Sequence, residues 1–209
     1  MKKILIATTN PGKFSEIKEF LKDLPVVSVS LTQLGIIEKA REDFPTFKKN
    51  SQHKALFYSR LSGIPALADD GGLEIDFLNG APGVKSRRWM NGTEDVSDEE
   101  LIEFTLRKLK MVPMSKRTAQ LRTVVSLAFP DGQVISTSAK IKGFIAKKPY
   151  HIIIPGFPYR SLLVMPNTGK FYHSKEMTRE ENERYNHRKK ALQKLKRVIK
   201  RELINEKLK

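Results

Sequence analysis

The chain has 209 residues, 39% of them hydrophobic, with 12 Gly and 11 Pro, which is enough apolar mass for one substantial core and excludes a disordered or fibrous protein. Its formal net charge of +16 draws polyanions, whether phosphorylated small molecules or nucleic acid, and its lack of cysteine excludes disulfides, thiolate zinc sites and a cysteine nucleophile. Any metal must then be held by oxygen or imidazole, which favours hard cations such as magnesium.

Lys2 to Ala7 is a short apolar run ending in Thr8-Thr9-Asn10-Pro11-Gly12, after which Phe14, Ile17, Phe20 and Leu21 recur at helical spacing: strand, polar loop, helix. The run is too short and strand-like for a signal peptide, and no stretch approaches the roughly eighteen apolar residues of a membrane span, so the chain reads as cytoplasmic. A second strand is predicted at Val26 to Ser30, then a polar loop to Pro45 and a helix from about Phe47 to Leu61. Pro65 to Ala68 is an apolar run that stops at Asp69-Asp70-Gly71-Gly72, and Leu73 to Phe77 then alternates like a half-buried strand. Ser97-Asp98-Glu99-Glu100 has capping-box form and opens a helix carrying Leu101, Phe104, Leu106 and Leu109. Ala119 to Phe129 and Gln133 to Ala146 are predicted strands, joined as a hairpin through Pro130-Asp131-Gly132. Beyond the turn-rich Pro155-Gly156-Phe157-Pro158-Tyr159, Leu162 to Met165 is a further strand. Thr178-Arg179-Glu180-Glu181 is a second capping box; Ala191, Leu192, Leu195, Val198, Ile199 and Leu203 then mark one apolar helix stripe, with His187-Arg188 about two turns into that helix. Helices alternate with strands early and antiparallel strands follow, so the expected fold is α/β, a mixed sheet flanked by helices. No repeat or linker divides it, which predicts a single domain over residues 1–209.

Three constellations can carry chemistry. Thr8-Thr9-Asn10-Pro11-Gly12-Lys13 sets hydroxyls, a carboxamide and a lysine at a helix N-terminus, where free amides and the dipole favour an anion. The same residue types also make ordinary caps, and no serine or threonine follows Gly12-Lys13 as a P-loop requires. Asp69-Asp70, followed by two glycines, puts two carboxylates at a strand end, suited to holding magnesium or activating water, or else to closing a turn. His187-Arg188 supplies a planar fork for phosphate or a base edge, or is a solvated helix pair. His53, His151 and His173 show no metal-ligand spacing and read as structural. Lys189, Lys190, Lys194, Lys196, Arg197 and Lys200 form an acid-free basic tail, a solvated helix face before it is a nucleic-acid patch, since aromatic interleaving is missing.

In order and spacing, these pieces resemble the inosine triphosphate pyrophosphatase family. The matching segments are Thr8 to Lys13 with Glu16, Phe47 to Asn50 with Lys54-Ala55, Ala68 to Glu74, Gly80-Ala81-Pro82-Gly83-Val84-Lys85-Ser86-Arg87, Pro155 to Tyr159, and Met177 to Glu181 through His187-Arg188. The resemblance implies an elongated mixed sheet with two lobes, a nucleotide cleft between them, and a homodimer. It also implies hydrolysis of inosine, deoxyinosine and xanthosine triphosphates to monophosphate and pyrophosphate with magnesium, manganese being an alternative. By position, Asp70 is the catalytic carboxylate and a metal ligand with Asp69. Thr8, Thr9, Asn10, Pro11, Gly12 and Lys13 hold the triphosphate beside Gly71. Phe157, Pro158, Tyr159, Arg160 and Asn182 belong to the substrate site, with His187 and Arg188 contacting the base.

The chain also departs from the family pattern. Lys49 stands where a metal-binding glutamate is usual, Gly71 replaces a serine, Pro158 and Arg160 replace a glycine and an aspartate, and Asn182 and Asn186 replace a lysine and a serine. A cation at position 49 weakens magnesium binding unless Lys49 itself neutralises the phosphates or Glu74 or Asp76 recruits the ion. Arg160 turns an acceptor into a donor, which alters the purine edge accepted. The resemblance thus admits an active pyrophosphatase or a nucleotide-binding relative with impaired catalysis, with a basic nucleic-acid-binding protein as the reading from charge.

Overall fold

The computed structural model describes residues 1–204, in which five α-helices accompany a six-stranded sheet of order β2-β1-β3-β4-β5-β6. The strands are β1 (Lys2–Ile6), β2 (Val26–Ser30), β3 (Ala66–Ile75), β4 (Thr118–Ala128), β5 (Val134–Ile145) and β6 (Leu163–Val164). The helices are α1 (Pro11–Leu21), α2 (Phe47–Ser62), α3 (Asp98–Lys108), α4 (Arg179–Tyr185) and α5 (His187–Ile199). The sheet is mixed: β1 runs parallel to β2, Lys2 opposite Val26, and parallel to β3, Leu5 opposite Ala66, while β5 and β6 are antiparallel. Among the described residues no helix is long and apolar enough to cross a membrane.

The chain forms two compact units. One takes Met1–Asp70, Thr123–Ala139 and the chain from Arg188; the other takes Gly71–Arg122 and Lys140–His187. In the first unit, Ile4 and Ile6 of β1, Ile17 and Leu21 of α1, Val125 and Leu127 of β4, and Ala191, Leu192, Leu195 and Ile199 of α5 share a core. Ala191, Leu192, Leu195 and Ile199 of the predicted apolar stripe are therefore buried and Val198 partly so, and Lys190, Lys194 and Arg197 occupy the exposed side of α5. In the second unit, Leu101 and Ile102 of α3 pack with Leu73, Ile75, Leu121, Leu163 and Tyr172. Arg117, 3% exposed, donates to the carbonyls of Val112 and Ala146 at 3.0 Å each and to Leu109, tying the chain beyond α3 to the end of β5.

Two local features differ from the sequence expectation. The Asp69-Asp70-Gly71-Gly72 segment does not end a strand; it lies inside β3. Gly72 is required there because a Cβ would stand 2.0 Å from Ser86 Oγ, so the glycine serves close approach and not a turn. The final helical region is also two helices. Asn186 is extended (φ −60°, ψ 104°), α4 stops before it, and His187 starts α5 where the spacing suggested mid-helix.

Candidate active site

The polar loop after β1 is built by local capping. Asn10 Oδ1 accepts from Lys13 N at 3.0 Å, Asn10 N donates to Thr8 Oγ1 at 3.2 Å, and Pro11 fills the first turn, where no N–H is needed. The first turn of α1 carries no acid, so its own side chains leave the positive end of the dipole unneutralised. Lys13 reaches from this turn to Asp69, with Nζ 3.3 Å from Oδ2.

Asp69 is fully buried, and Arg188 Nε also lies on its Oδ2 at 3.0 Å while Arg188 Nη1 binds Glu16. Burial alone raises the Asp69 pKa, but Lys13, Arg188 and Lys54 overcome it and hold the carboxyl well below the usual carboxylate range. Asp69 Oδ1 makes no hydrogen bond among the described residues. Arg188 is held firmly protonated: burial opposes its charge, and Asp69 and Glu16 prevail.

Asp70 has the opposite balance. Burial pushes its pKa up; the charges of Lys54 and Lys13 and a hydrogen bond from Asn50 oppose this without cancelling it, and Glu42 adds to the rise. The two neighbouring carboxylates are thus shifted in opposite directions, Asp69 down and Asp70 up. Lys54, 7% exposed, meets Glu42 at 2.8 Å; burial works against its charge, and Glu42, Asp69 and Asp70 keep it protonated. Asn50, buried in α2, pins the preceding loop through Phe44, accepting from its N at 2.9 Å. Ser51 Oγ donates to the carbonyl of Ala68 at 3.1 Å, fastening α2 to β3 immediately before the pair.

Lys49, on the first turn of α2, is exposed. Glu74 is committed to Gln120 Nε2 at 2.6 Å and to Arg122 at 3.0 Å, and Asp76 is exposed. Sequence reasoning passed over Glu42, which sits in an irregular loop with no motif around it, and gave no role to Lys54, Asn50 and Glu16.

The second unit assembles the turn-rich segment by itself. Pro158–Ser161 is a short 3₁₀ turn; Tyr159 OH donates to the carbonyl of Ser86 at 2.5 Å, and Asp98 accepts from Gly156 N at 2.6 Å while pairing with Arg87. Tyr159 is buried among apolar groups, which raises its phenol pKa and keeps it neutral. The Arg160 guanidinium lies 4.0 Å from the Phe157 ring centroid and 5.2 Å from that of Tyr172. Tyr172 OH meets His187 Nδ1 at 3.0 Å. Asn182 Nδ2 donates to the carbonyl of Thr178 at 3.0 Å and of Met177 at 3.1 Å, an attachment to the start of its own helix.

An α/β chain that sets two adjacent carboxylates against the lysine of a helix N-terminus has the makings of a site for a phosphorylated ligand. Residues 4–198 match the Ham1 family, and the chain belongs to it. It is 36% identical over 193 residues to a dITP/XTP pyrophosphatase of Thermus thermophilus, covering 92% of this chain and 89% of that one. It is 39% identical over 194 residues to the dITP/XTP pyrophosphatase of Yersinia pseudotuberculosis, covering 92% and 95%. The solved HAM1 protein from Coxiella burnetii superposes with a TM-score of 0.82 at 30% identity, covering 96% of this chain and all (100%) of that one.

Proposed function

We propose that this protein is a nucleoside triphosphate pyrophosphatase that acts on purine nucleotides such as dITP and XTP, releasing the monophosphate and pyrophosphate. The observation that carries the reading is the placement of the acidic pair: Asp69 takes Lys13 of the α1 N-terminus at 3.3 Å and Arg188 at 3.0 Å on one oxygen, and Asp70 stands next to it in β3. Asp70 positions a water and takes its proton as the water oxygen bonds to the α-phosphorus and the bridging oxygen leaves with pyrophosphate. Lys13 and the amides opening α1 offset charge on the departing phosphates. Arg188, bound to Asp69 and Glu16, holds Asp69 in place. Contact of Phe157, Tyr159, Arg160 and His187 with the base belongs to the same proposal.

A divalent ion fits this donor set in one way. Among the described residues no group of three or more histidine, cysteine or acidic side chains is placed to cage an ion. The oxygen donors are Asp70 and the open Oδ1 of Asp69, with Glu42 acting electrostatically on Asp70. Such a pair suits magnesium, which takes one or two carboxylates and completes its shell with water and substrate phosphates. When bound, the ion supplies charge neutralisation on the phosphates and lowers the pKa of coordinated water.

The test is pyrophosphate release from dITP, XTP and ATP by purified protein with magnesium or manganese, beside an Asp70→Asn control. Release from dITP and XTP that the control lacks supports the reading; no release from any nucleotide above the control ends it. Cytoplasmic residence and a homodimer are part of the proposal, the latter checked by light scattering after gel filtration.

A further inference from the structure

The charge on α5 is laid out against the helix's own electrostatics. Its first turn holds Lys189 and Lys190 and no acid, although the positive end of the dipole lies there. Lys190 and Lys194 stand four residues apart and Lys194 and Arg197 three, so like charges are neighbours along the surface. Two other helices do the reverse: α3 opens with Asp98, Glu99 and Glu100 and closes with Arg107 and Lys108, and α4 opens with Glu180 and Glu181 and closes with Arg184. The first acid after the row, Glu202, is taken by Arg201 at 2.7 Å, and Lys194, Arg197 and Lys200 form no ion pair among the described residues. A row of this kind weakens its own helix, so it points to an anionic partner and not to support of the fold.

The helix is also held so that the row faces outward. Ala191, Leu192, Leu195 and Ile199 have no exposed surface, Thr137 Oγ1 donates to the Ala191 carbonyl at 2.7 Å, and Lys194 Nζ reaches the Ser138 carbonyl at 2.7 Å. Rotation about the helix axis is thereby fixed, with Lys190, Lys194 and Arg197 exposed together. Lys190 and Arg197 are separated by a helical rise of about 10 Å. One strand of a duplex carries a phosphate about every 3.4 Å of axis, so three cations meet about three phosphates. Between His187 and Ile204 there is no Phe, Tyr or Trp and no exposed large hydrophobic residue. The side chains that stack on single-stranded bases, or that insert into a bilayer, are therefore missing from this face, whereas contact with a duplex backbone needs only the cations.

We propose that the exposed face of α5 is a binding surface for duplex nucleic acid, engaging the phosphate backbone without reading the bases. It uses none of the residues assigned to hydrolysis, so this affinity and pyrophosphate release are separable properties.

The test is fluorescence anisotropy of a labelled short DNA duplex of mixed sequence, titrated with full-length protein from low to physiological salt. Wild type is compared with Lys190→Gln/Lys194→Gln/Arg197→Gln and with Lys108→Gln/Lys110→Gln/Lys116→Gln, which removes the same charge from exposed positions of the second unit. Each phosphate contact contributes about 0.9 to the slope of log affinity against log salt, so the α5 variant is expected to lose about 2 to 3 from that slope and the control less than about 1. A melting temperature in the α5 variant equal to or above wild type, as relief of the like-charge row implies, separates lost binding from lost fold. A second measurement needs no variant: acetylation of Lys190 and Lys194 in wild type, read by mass spectrometry, slows several-fold with duplex bound while Lys110 and Lys116 react as before. No duplex binding by wild type at low salt, equal loss of slope in the two variants, or unchanged acetylation of Lys190 and Lys194 overturns the inference. Tighter binding to phosphatidylserine-containing vesicles than to the duplex, lost in the α5 variant, also overturns it, in favour of an anionic membrane surface.

Discussion

Arg188 and Arg160 are both buried arginines, and they are held by different physics. Arg188 is clamped between the carboxylates of Asp69 and Glu16, whereas Arg160 lies against the rings of Phe157 and Tyr172. Around Arg188 each charge is the reason its neighbour can be buried as an ion, so no member can leave without stranding another. Around Arg160 the guanidinium rests on polarisable faces, an attraction of about 1–2 kcal/mol when desolvated. The first region therefore resists exchange, and the second is where a new side chain can change recognition at little loss of fold.

The largest break in this contrast is Asp70→Asn. Removing a general base is expected to lower kcat by about 10²- to 10⁴-fold, read as pyrophosphate release from dITP. The same change raises the melting temperature of the metal-free protein. The folded pKa of Asp70 lies above its unfolded value, so the stability tied to its proton is present below the unfolded pKa and is lost as pH rises through the folded one. At neutral pH its charge weighs against the fold, and asparagine removes that charge while keeping the amide in reach of Asn50. A variant less stable than wild type would show that Asp70 is a structural anion like Asp69.

Arg188→Met comes next. It leaves Asp69 with Lys13 as its salt-bridge partner and deprives Glu16 of its arginine, and breaking such a buried pair costs about 3–5 kcal/mol, measured as a fall in denaturation midpoint with guanidinium chloride. Arg160→Met, by comparison, is expected to lose no more than about 2 kcal/mol, the ring contact alone. Equal losses in the two variants would erase the distinction between clamped and stacked arginine. Tyr159→Phe is smaller again: one buried hydroxyl bond to the Ser86 carbonyl, about 1–2 kcal/mol, with KM for dITP rising more than kcat falls because the loop it anchors loosens.

How much of this was legible in the sequence follows from what each signal measures. The strand–loop–helix around Thr8 to Lys13 was readable because a capping asparagine, a proline and periodic apolar residues act within one turn of chain, and the structure shows Asn10 capping as expected. The acidic pair was found, but as the end of a strand, since two glycines signal a turn unless one knows that Ser86 presses on Gly72 from well along the chain. Glu42 and Lys54 were unreadable as a pair because their link is tertiary and twelve residues long. Arg188 could be named as a site residue, but nothing in its helix announces that its partners are Asp69 and Glu16. The break at Asn186 was missed since two capping-compatible helices in series look like one when the apolar stripe runs on.

His173 gives the finest test, and it belongs wholly to the aromatic side of the comparison. Its ring is buried beneath Tyr150 and near Arg160, and burial first, then that positive charge, depresses its pKa below the ordinary 6.5. The unfolded chain therefore takes up a proton before the folded one does. The stability linked to the neutral ring is complete above about pH 6.5 and declines as pH falls from there toward the folded value, where both states are charged. Melting temperature measured from about pH 8 to about pH 5 should fall across this window in wild type. In His173→Phe, which keeps an aromatic ring against Tyr150 and removes the titration, the slope should flatten. The carboxylates answer at a different pH: Asp69, depressed by Lys13 and Arg188 against its burial, gives stability that is present above the usual carboxylate pKa and lost only in stronger acid. A wild-type decline near about pH 6 that persists unchanged in His173→Phe would show that this ring is not the source of the slope.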